Sequence, residues 1–429
     1  MKKLFLLILT VAMYSPLNAA EKELSRFDRF FTEGTMRINL QHCGDATSEE
    51  YFLEDIVRDP HWGGSKKYLI DTLGYGFQHL RVYDAATDSL IYSRGYCTIF
   101  NEWQATPEAQ TTRKSYPESV IMPYPKASVR VEIIARDKSR NEKRIFSHVI
   151  DPSDYQIVRP QERYETFDII YNRPSDKAID IAILSEGYTA DQKEQFVRDC
   201  REFAEAILSF SPFKEHRRRF NFRAVWVPSK ESGVSMPGEN YWRNTALGAR
   251  FYTFYSERYQ IVNDFQRVRQ VAAAVPYDYI YILSNSQKYG GGGIYNFYGI
   301  SSAADPSNHL KVYVHEFAHL FMGLADEYVG GAEEGLYDLG VEPWEENITT
   351  LKEFDKKAWS RMIDDKTPVP TPVEKRYENT IGVFEGGGYN EKGIYRPAMK
   401  CLMNSFGGVE EFCPVCKAAL SKTIRTLTE

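Results

Sequence analysis

Two histidines four residues apart flank a carboxylate in the run His315-Glu316-Phe317-Ala318-His319. On a helix, residues four apart lie on one face, one turn above the other. Two imidazoles placed this way can bind a single Zn²⁺. Glu316 follows the first of them, so its carboxylate lies beside the metal rather than on it. That is where a general base must sit to take a proton from water. The chemistry implied is metal-assisted hydrolysis. Only eight histidines occur in the chain, and no other two stand four apart. The neighbours Val314, Phe317, Ala318, Leu320 and Phe321 are apolar, which predicts a largely buried helix. Buried imidazoles and carboxylates need partners, and a metal supplies them. A surface helix with two solvated histidines fits those neighbours poorly.

A catalytic zinc takes a third protein ligand and keeps one position open. Asp326 is the candidate, seven residues beyond His319. Seven residues of helix rise about 10 Å, too far for a shared ion. The helix must therefore stop and the chain turn back. Gly323 stands where a left-handed terminating residue is needed, and Leu324 and Ala325 would carry the chain round. Glu327 is the rival ligand.

These residues need elements to hold them. A helix is expected from Asn308 to Leu324, with His309 as a helix-start or packing residue. Before it, Ile179–Leu184 reads as a buried strand, Ala190–Leu208 as a helix capped by Thr189, and Phe220–Val227 as a strand. Ile261–Ala274 reads as a helix and Tyr277–Leu283 as a strand. Strand, helix, strand, helix, strand implies a partly parallel sheet with helices packed on it. The four glycines 290–293 suit a mobile turn; the run after them reads either as an edge strand able to pair with an extended peptide or as part of an ordinary Gly-rich loop. Upstream, Thr35–Leu40, Leu80–Tyr83 and Ser128–Ile134 alternate polar and apolar residues, separated by turn formers such as Asp84 to Asp88. That pattern predicts an all-β antiparallel sandwich over 21–160, without a catalytic constellation. An α/β catalytic domain is expected over 161–429.

Composition narrows the surroundings. With 429 residues, 43% hydrophobic, the chain can bury two cores. A net charge of −6 lacks the basic excess that nucleic acid demands, and the basic cluster His216 to Arg219 reads as a solvated helix end. Residues 1–20 read as an export signal: Lys2 and Lys3, a short apolar run from Leu4 to Tyr14, then Leu17-Asn18-Ala19-Ala20. No cysteine follows the cleavage region, so no lipid anchor is expected, and no stretch has membrane-spanning length. The mature protein is expected outside the cytoplasm: secreted, periplasmic or at the cell surface. Of the six cysteines, Cys401 lies near Cys413-Pro414-Val415-Cys416. A local disulfide is favoured there; a second zinc site would need a fourth ligand that the nearby sequence does not offer.

The run 315–328 (His-Glu-Phe-Ala-His-Leu-Phe-Met-Gly-Leu-Ala-Asp-Glu-Tyr) resembles the bacterial IgA-peptidase family of secreted metallopeptidases. So do Phe384-Glu385-Gly386-Gly387-Gly388-Tyr389, Tyr395-Arg396-Pro397, Cys401-Leu402-Met403-Asn404-Ser405 and Phe412-Cys413-Pro414-Val415-Cys416. The likeness covers roughly 165–429, and the β-rich part is similar to the domain that often precedes this unit. The wider likeness is to metzincins, whose pattern sets a third ligand after a glycine turn and a methionine beneath the metal. Met403 matches that methionine. The chain departs from the pattern in placing Gly323 one residue late and Asp326 where histidine is usual. The resemblance implies a secreted zinc endopeptidase with one catalytic Zn²⁺, Glu316 as base, and a protein or peptide substrate such as immunoglobulin A or other host or dietary protein. Tyr389 and Tyr395 are candidates to stabilise the oxyanion. The alternatives are a catalytically degenerate surface binding protein and a zinc amidase acting on cell-wall peptides.

Overall fold

Alternation in the first 150 residues produces strands with one buried face. A computed structural model describes residues 25–303, 309–330 and 336–429; the expected export signal, residues 1–20, lies outside them. A short helix α1 (Arg26–Phe30) leads into β1 (Phe31–Gly44), which pairs with β2 (Glu49–Asp59). Next come β3 (Gln78–Asp84), β4 (Leu90–Tyr96), α2 (Ile99–Gln104), β5 (Lys114–Pro125), β6 (Val129–Arg136) and β7 (Glu142–Ile150). They form two antiparallel sheets, ordered β2-β1-β5 and β4-β3-β6-β7. Met36, Ile38 and Met122 of one sheet share an apolar cluster with Leu80, Val82 and Val131 of the other.

A mixed α/β region follows. It contains β8 (Glu165–Ile170), β9 (Ile179–Glu186), α3 (Lys193–Ser209), β10 (Phe220–Trp226), α4 (Phe265–Ala272), β11 (Tyr279–Ser284), β12 (Gly291–Gly293), β13 (Gly299–Ser302) and α5 (His309–Met322). The hairpin β14 (Phe384–Gly387)–β15 (Asn390–Arg396) and helix α6 (Pro414–Thr428) complete it. The sheet order is β12-β13-β11-β9-β10-β8. Its four inner strands are parallel, and β12 and β8 are antiparallel edges. Every residue of β9 is buried, as a strand covered on both faces requires. Ile179, Ile181 and Ile183 face the cluster built with α3, α5 and α6, whereas Ala182 and Leu184 face the cluster built with α4.

Three expectations need adjustment. The helix read over Ile261–Ala274 spans only Phe265–Ala272, because Ile261 is bridged to Arg250 and the Asp264 side chain caps the helix by accepting from the Arg267 amide at 2.9 Å. The glycine run forms the edge strand itself instead of leading into one. The basic cluster is a 3₁₀ turn, Arg217–Arg219, whose Arg217 pairs with Glu205 and Arg219 with Glu429. No helix among the described residues is long and apolar enough to cross a membrane.

Candidate metal centre

Helix α5 ends at Gly323, which takes a left-handed φ of 66°. Its amide donates to the His319 carbonyl at 2.8 Å, the single-bond form of a left-handed helix stop. A Cβ here would lie 2.2 Å from the Trp344 ring, so glycine is required on two counts. Beyond the turn, Asn347 clamps the backbone: it accepts from the Ala325 amide and donates to the Ala325 carbonyl, both at 2.8 Å. The next residue, Asp326, is thereby aimed back at the helix.

Three donor atoms converge. His315 Nε2 and His319 Nε2 are 3.0 Å apart, and Asp326 Oδ1 lies 3.0 Å from the first and 3.4 Å from the second. Each imidazole is oriented by its other nitrogen. His315 Nδ1 donates to the Leu402 carbonyl at 3.0 Å, and His319 Nδ1 donates to the Leu324 carbonyl at 2.5 Å. Those bonds put a proton on each Nδ1 and turn the Nε2 atoms toward the shared point, the usual arrangement behind a metal-binding imidazole. With both rings neutral, the nitrogens beside Asp326 Oδ1 present lone pairs, and that buried oxygen accepts no hydrogen bond. Its other oxygen, Oδ2, accepts from the Tyr389 hydroxyl at 2.5 Å. Burial alone would raise the Asp326 carboxyl, but the facing His319 and His315 outweigh it and hold it well below the usual range. Burial likewise opposes charge on His319, yet Asp326 raises its pKa to about 9. The group calls for positive charge at the point between the donors. A divalent cation answers all three at once, so His315, His319 and Asp326 fit a metal.

Glu316 stands beside this point, half-buried, on the wall of a cleft of about 1560 Å³ that His315, His319, Asp326, Tyr328 and Tyr389 also line. Burial pushes its carboxyl up from the ordinary range, against the pull of His315 and His319. β12 lines the same cleft and packs against the helix. A Cβ on Gly293 would lie 2.2 Å from the Glu316 carbonyl and one on Gly291 3.1 Å from Glu316 Cγ. The glycines let the strand lie directly against the helix. The outer edge of β12 is already paired at one end, where Gly291 donates to Arg258 and accepts from Gln260 at 3.3 and 3.2 Å.

The remaining predicted residues divide. Tyr389, at a left-handed φ of 65°, reaches the centre through Asp326. Tyr395 sits on β15, where its backbone pairs with Thr349, and it does not line the cleft. Met403 is fully buried, and its carbonyl accepts from the Glu327 amide at 2.7 Å. Tyr328 was not singled out by sequence, yet it packs edge-on against Tyr389 and accepts from Arg258 at 3.2 Å. Its sequence signal was its place two residues after Asp326, at the end of the run that resembles the family. Glu327, the rival ligand, turns away into a pocket with Cys401, Cys413 and Cys416. The disulfide expected among those cysteines is not formed: all three are free thiols, with Cys401 and Cys416 Sγ 3.8 Å apart. The fourth group absent from the nearby sequence is supplied from about 75 residues upstream by the same turn that delivers Asp326.

A helix carrying paired imidazoles beside a carboxylate, and a second carboxylate returned to it by a turn, form a group at the wall of an open cleft that could hold a metal ion. The chain belongs to the family described as IgA Peptidase M64, which it matches over residues 168–380 and 373–424. Residues 26–147 match the description Peptidase M64 N-terminus. The chain is thus a peptidase of a family whose members use a metal, and its substrates are proteins or peptides. No curated protein matches it.

Proposed function

We propose that this chain is an exported, zinc-dependent endopeptidase, with a β-sandwich over 21–160 and a metzincin-like catalytic unit over 161–429. The observation that carries the reading is the convergence of His315 Nε2, His319 Nε2 and Asp326 Oδ1 beside Glu316 at the wall of an open cleft. When bound, zinc supplies Lewis acidity: it polarises a carbonyl and makes water a stronger acid near neutral pH. His315, His319 and Asp326 hold it, and Tyr389 orients Asp326. Glu316 accepts the proton of the attacking water and returns it to the leaving amine. Its raised carboxyl suits a group that must both take and give a proton. An extended peptide is held along β12 at the Gly293 end, since the Gly291 end is paired internally. Met403 is the floor beneath the ligands. The family name makes immunoglobulin A one substrate to assay, with host and dietary proteins beside it.

The test is Glu316→Ala. Zinc content should stay at the wild-type level while cleavage of immunoglobulin A and denatured casein falls at least about 10²-fold. A variant that cleaves at the wild-type rate would falsify the role of Glu316. Wild-type protein that binds zinc and cleaves no protein would favour a binding function, and cleavage confined to cell-wall peptides would favour an amidase.

A further inference from the structure

Beneath the centre lies a second group of metal-binding atoms with no part in the reaction above. Glu327, Cys401, Cys413 and Cys416 are 0%, 0%, 3% and 0% exposed. Their ligating atoms all lie within 4.8 Å of one another. We propose that these four side chains bind a structural zinc ion, distinct from the one held by His315, His319 and Asp326.

Four observations carry the assignment. The first is spacing. A disulfide would bring two sulfurs to about 2.05 Å, whereas Cys401 and Cys416 stand 3.8 Å apart. Thiolates ~2.3 Å from one tetrahedral ion stand about 3.8 Å from each other. The second is an orphan. Glu327 Oε1 accepts from Asn347 Nδ2 at 2.9 Å and faces Cys416 Sγ at 3.1 Å. Its Oε2 is buried with no hydrogen-bond partner. A fully buried carboxylate oxygen without a partner is costly, and a cation removes that cost. The third is local backbone. Cys413 is the N-cap of α6, and the Cys416 amide points to its sulfur at 3.5 Å. The Cys413 amide points to Cys401 Sγ at 3.3 Å. Amide donors at a helix start favour thiolate over thiol, which is the form a metal takes. The fourth is sequence form: two cysteines separated by two residues, with two further ligands from elsewhere in the chain, is a recurrent zinc spacing.

The site has a structural job. Glu327 follows Asp326, and its amide is bonded to Met403. Cys401 precedes Leu402, whose carbonyl orients His315. Cys413 and Cys416 open α6. One ion in this pocket ties together the segment bearing the third catalytic ligand, the segment orienting the first, and the helix beneath both. Coordination also shields three thiols from oxidation in the surroundings an exported protein meets.

The experiment counts zinc on full-length protein purified in zinc. Wild type should hold two ions per chain, and the double variant His315→Ala, His319→Ala should keep one. Refilled with cobalt, that double variant should show the near-ultraviolet charge-transfer absorption of thiolate bound to cobalt. Adding Glu327→Gln to it should weaken cobalt binding at least tenfold against a competing chelator. A folded double variant with no metal, or cobalt spectra without sulfur charge transfer, overturns the proposal. So does a disulfide mapped by peptide mass to Cys401, Cys413 or Cys416, and so does cobalt affinity indifferent to Glu327→Gln. Because the catalytic histidines are absent from the decisive variant, failure here leaves the proposed peptidase site standing, and failure of peptidase activity leaves this site standing.

Discussion

At the scale of single residues, the centre is governed by what stands behind each donor. Tyr389 occupies one oxygen of Asp326 and leaves the other for the imidazoles. Tyr389→Phe removes that bond while keeping the ring. It should lower zinc affinity about 10- to 100-fold, the usual cost of losing such an outer partner, with no change in melting temperature of the zinc-loaded fold beyond what weaker binding explains. Competition with a chromophoric chelator measures it, and an affinity equal to wild type would deny Tyr389 its positioning role. The residues that meet here were largely legible in the sequence: His315, Glu316 and His319 by helical spacing, and Asp326 by the need for a turn that Gly323 allows. Tyr328, and the pocket that receives Glu327, were not. Their partners Arg258, Asn347 and the three cysteines come from other segments, and no periodicity along one segment encodes a meeting across several.

At the scale of elements, the helix α5 and the edge strand β12 touch with almost no space between their backbones. Gly293→Ala would force a carbon against the Glu316 carbonyl. It should destabilise the protein by about 1–3 kcal/mol, the cost of overpacking a tight contact, and it should lower hydrolysis by shifting Glu316. Urea unfolding read beside kcat checks both, and an unshifted midpoint would mean that the two elements can part freely. Gly323→Ala faces a positive φ as well as the Trp344 ring and should also lose about 1–3 kcal/mol. The strands and helices themselves were readable where burial is regular, as in β9 and α3. The errors fell where a side chain from elsewhere intervenes. Ile261 looks helical by hydrophobic spacing, but Arg250 draws it into a bridge, and the Tyr298 hydroxyl receives the amide of Val262 at 3.0 Å.

At the scale of the whole molecule, the N-terminal sheets are built onto the catalytic region. Ile99, Phe100, Trp103 and Tyr116 share an apolar cluster with Val268, Val271 and Phe297. The Cys97 amide donates to the Tyr295 carbonyl at 2.9 Å, Asn296 donates to the Gly95 carbonyl at 2.7 Å, and the Tyr75 hydroxyl donates to Glu346 at 2.6 Å. Glu49, Glu102 and Arg136 line the same cleft as Glu316. The sequence offered no catalytic group in this region, and the structure gives it a wall of the cleft. Residues 161–429 alone would expose that apolar face, at about 1.5–3 kcal/mol for each large side chain. That fragment should aggregate or lack the cooperative unfolding of the full chain, as sedimentation and calorimetry would report. A soluble, cooperatively folding, active fragment would show that the contact is dispensable.

The Leu402 carbonyl that turns His315 toward His319 and Asp326 has a consequence in time. During synthesis the helix with Glu316 leaves the ribosome well before residue 389 or residue 402 exists. At that stage His315 has no acceptor to fix its ring and Asp326 has no tyrosine to steady it. A growing chain therefore carries Glu316 and all three donors, His315, His319 and Asp326, before the groups that orient them exist.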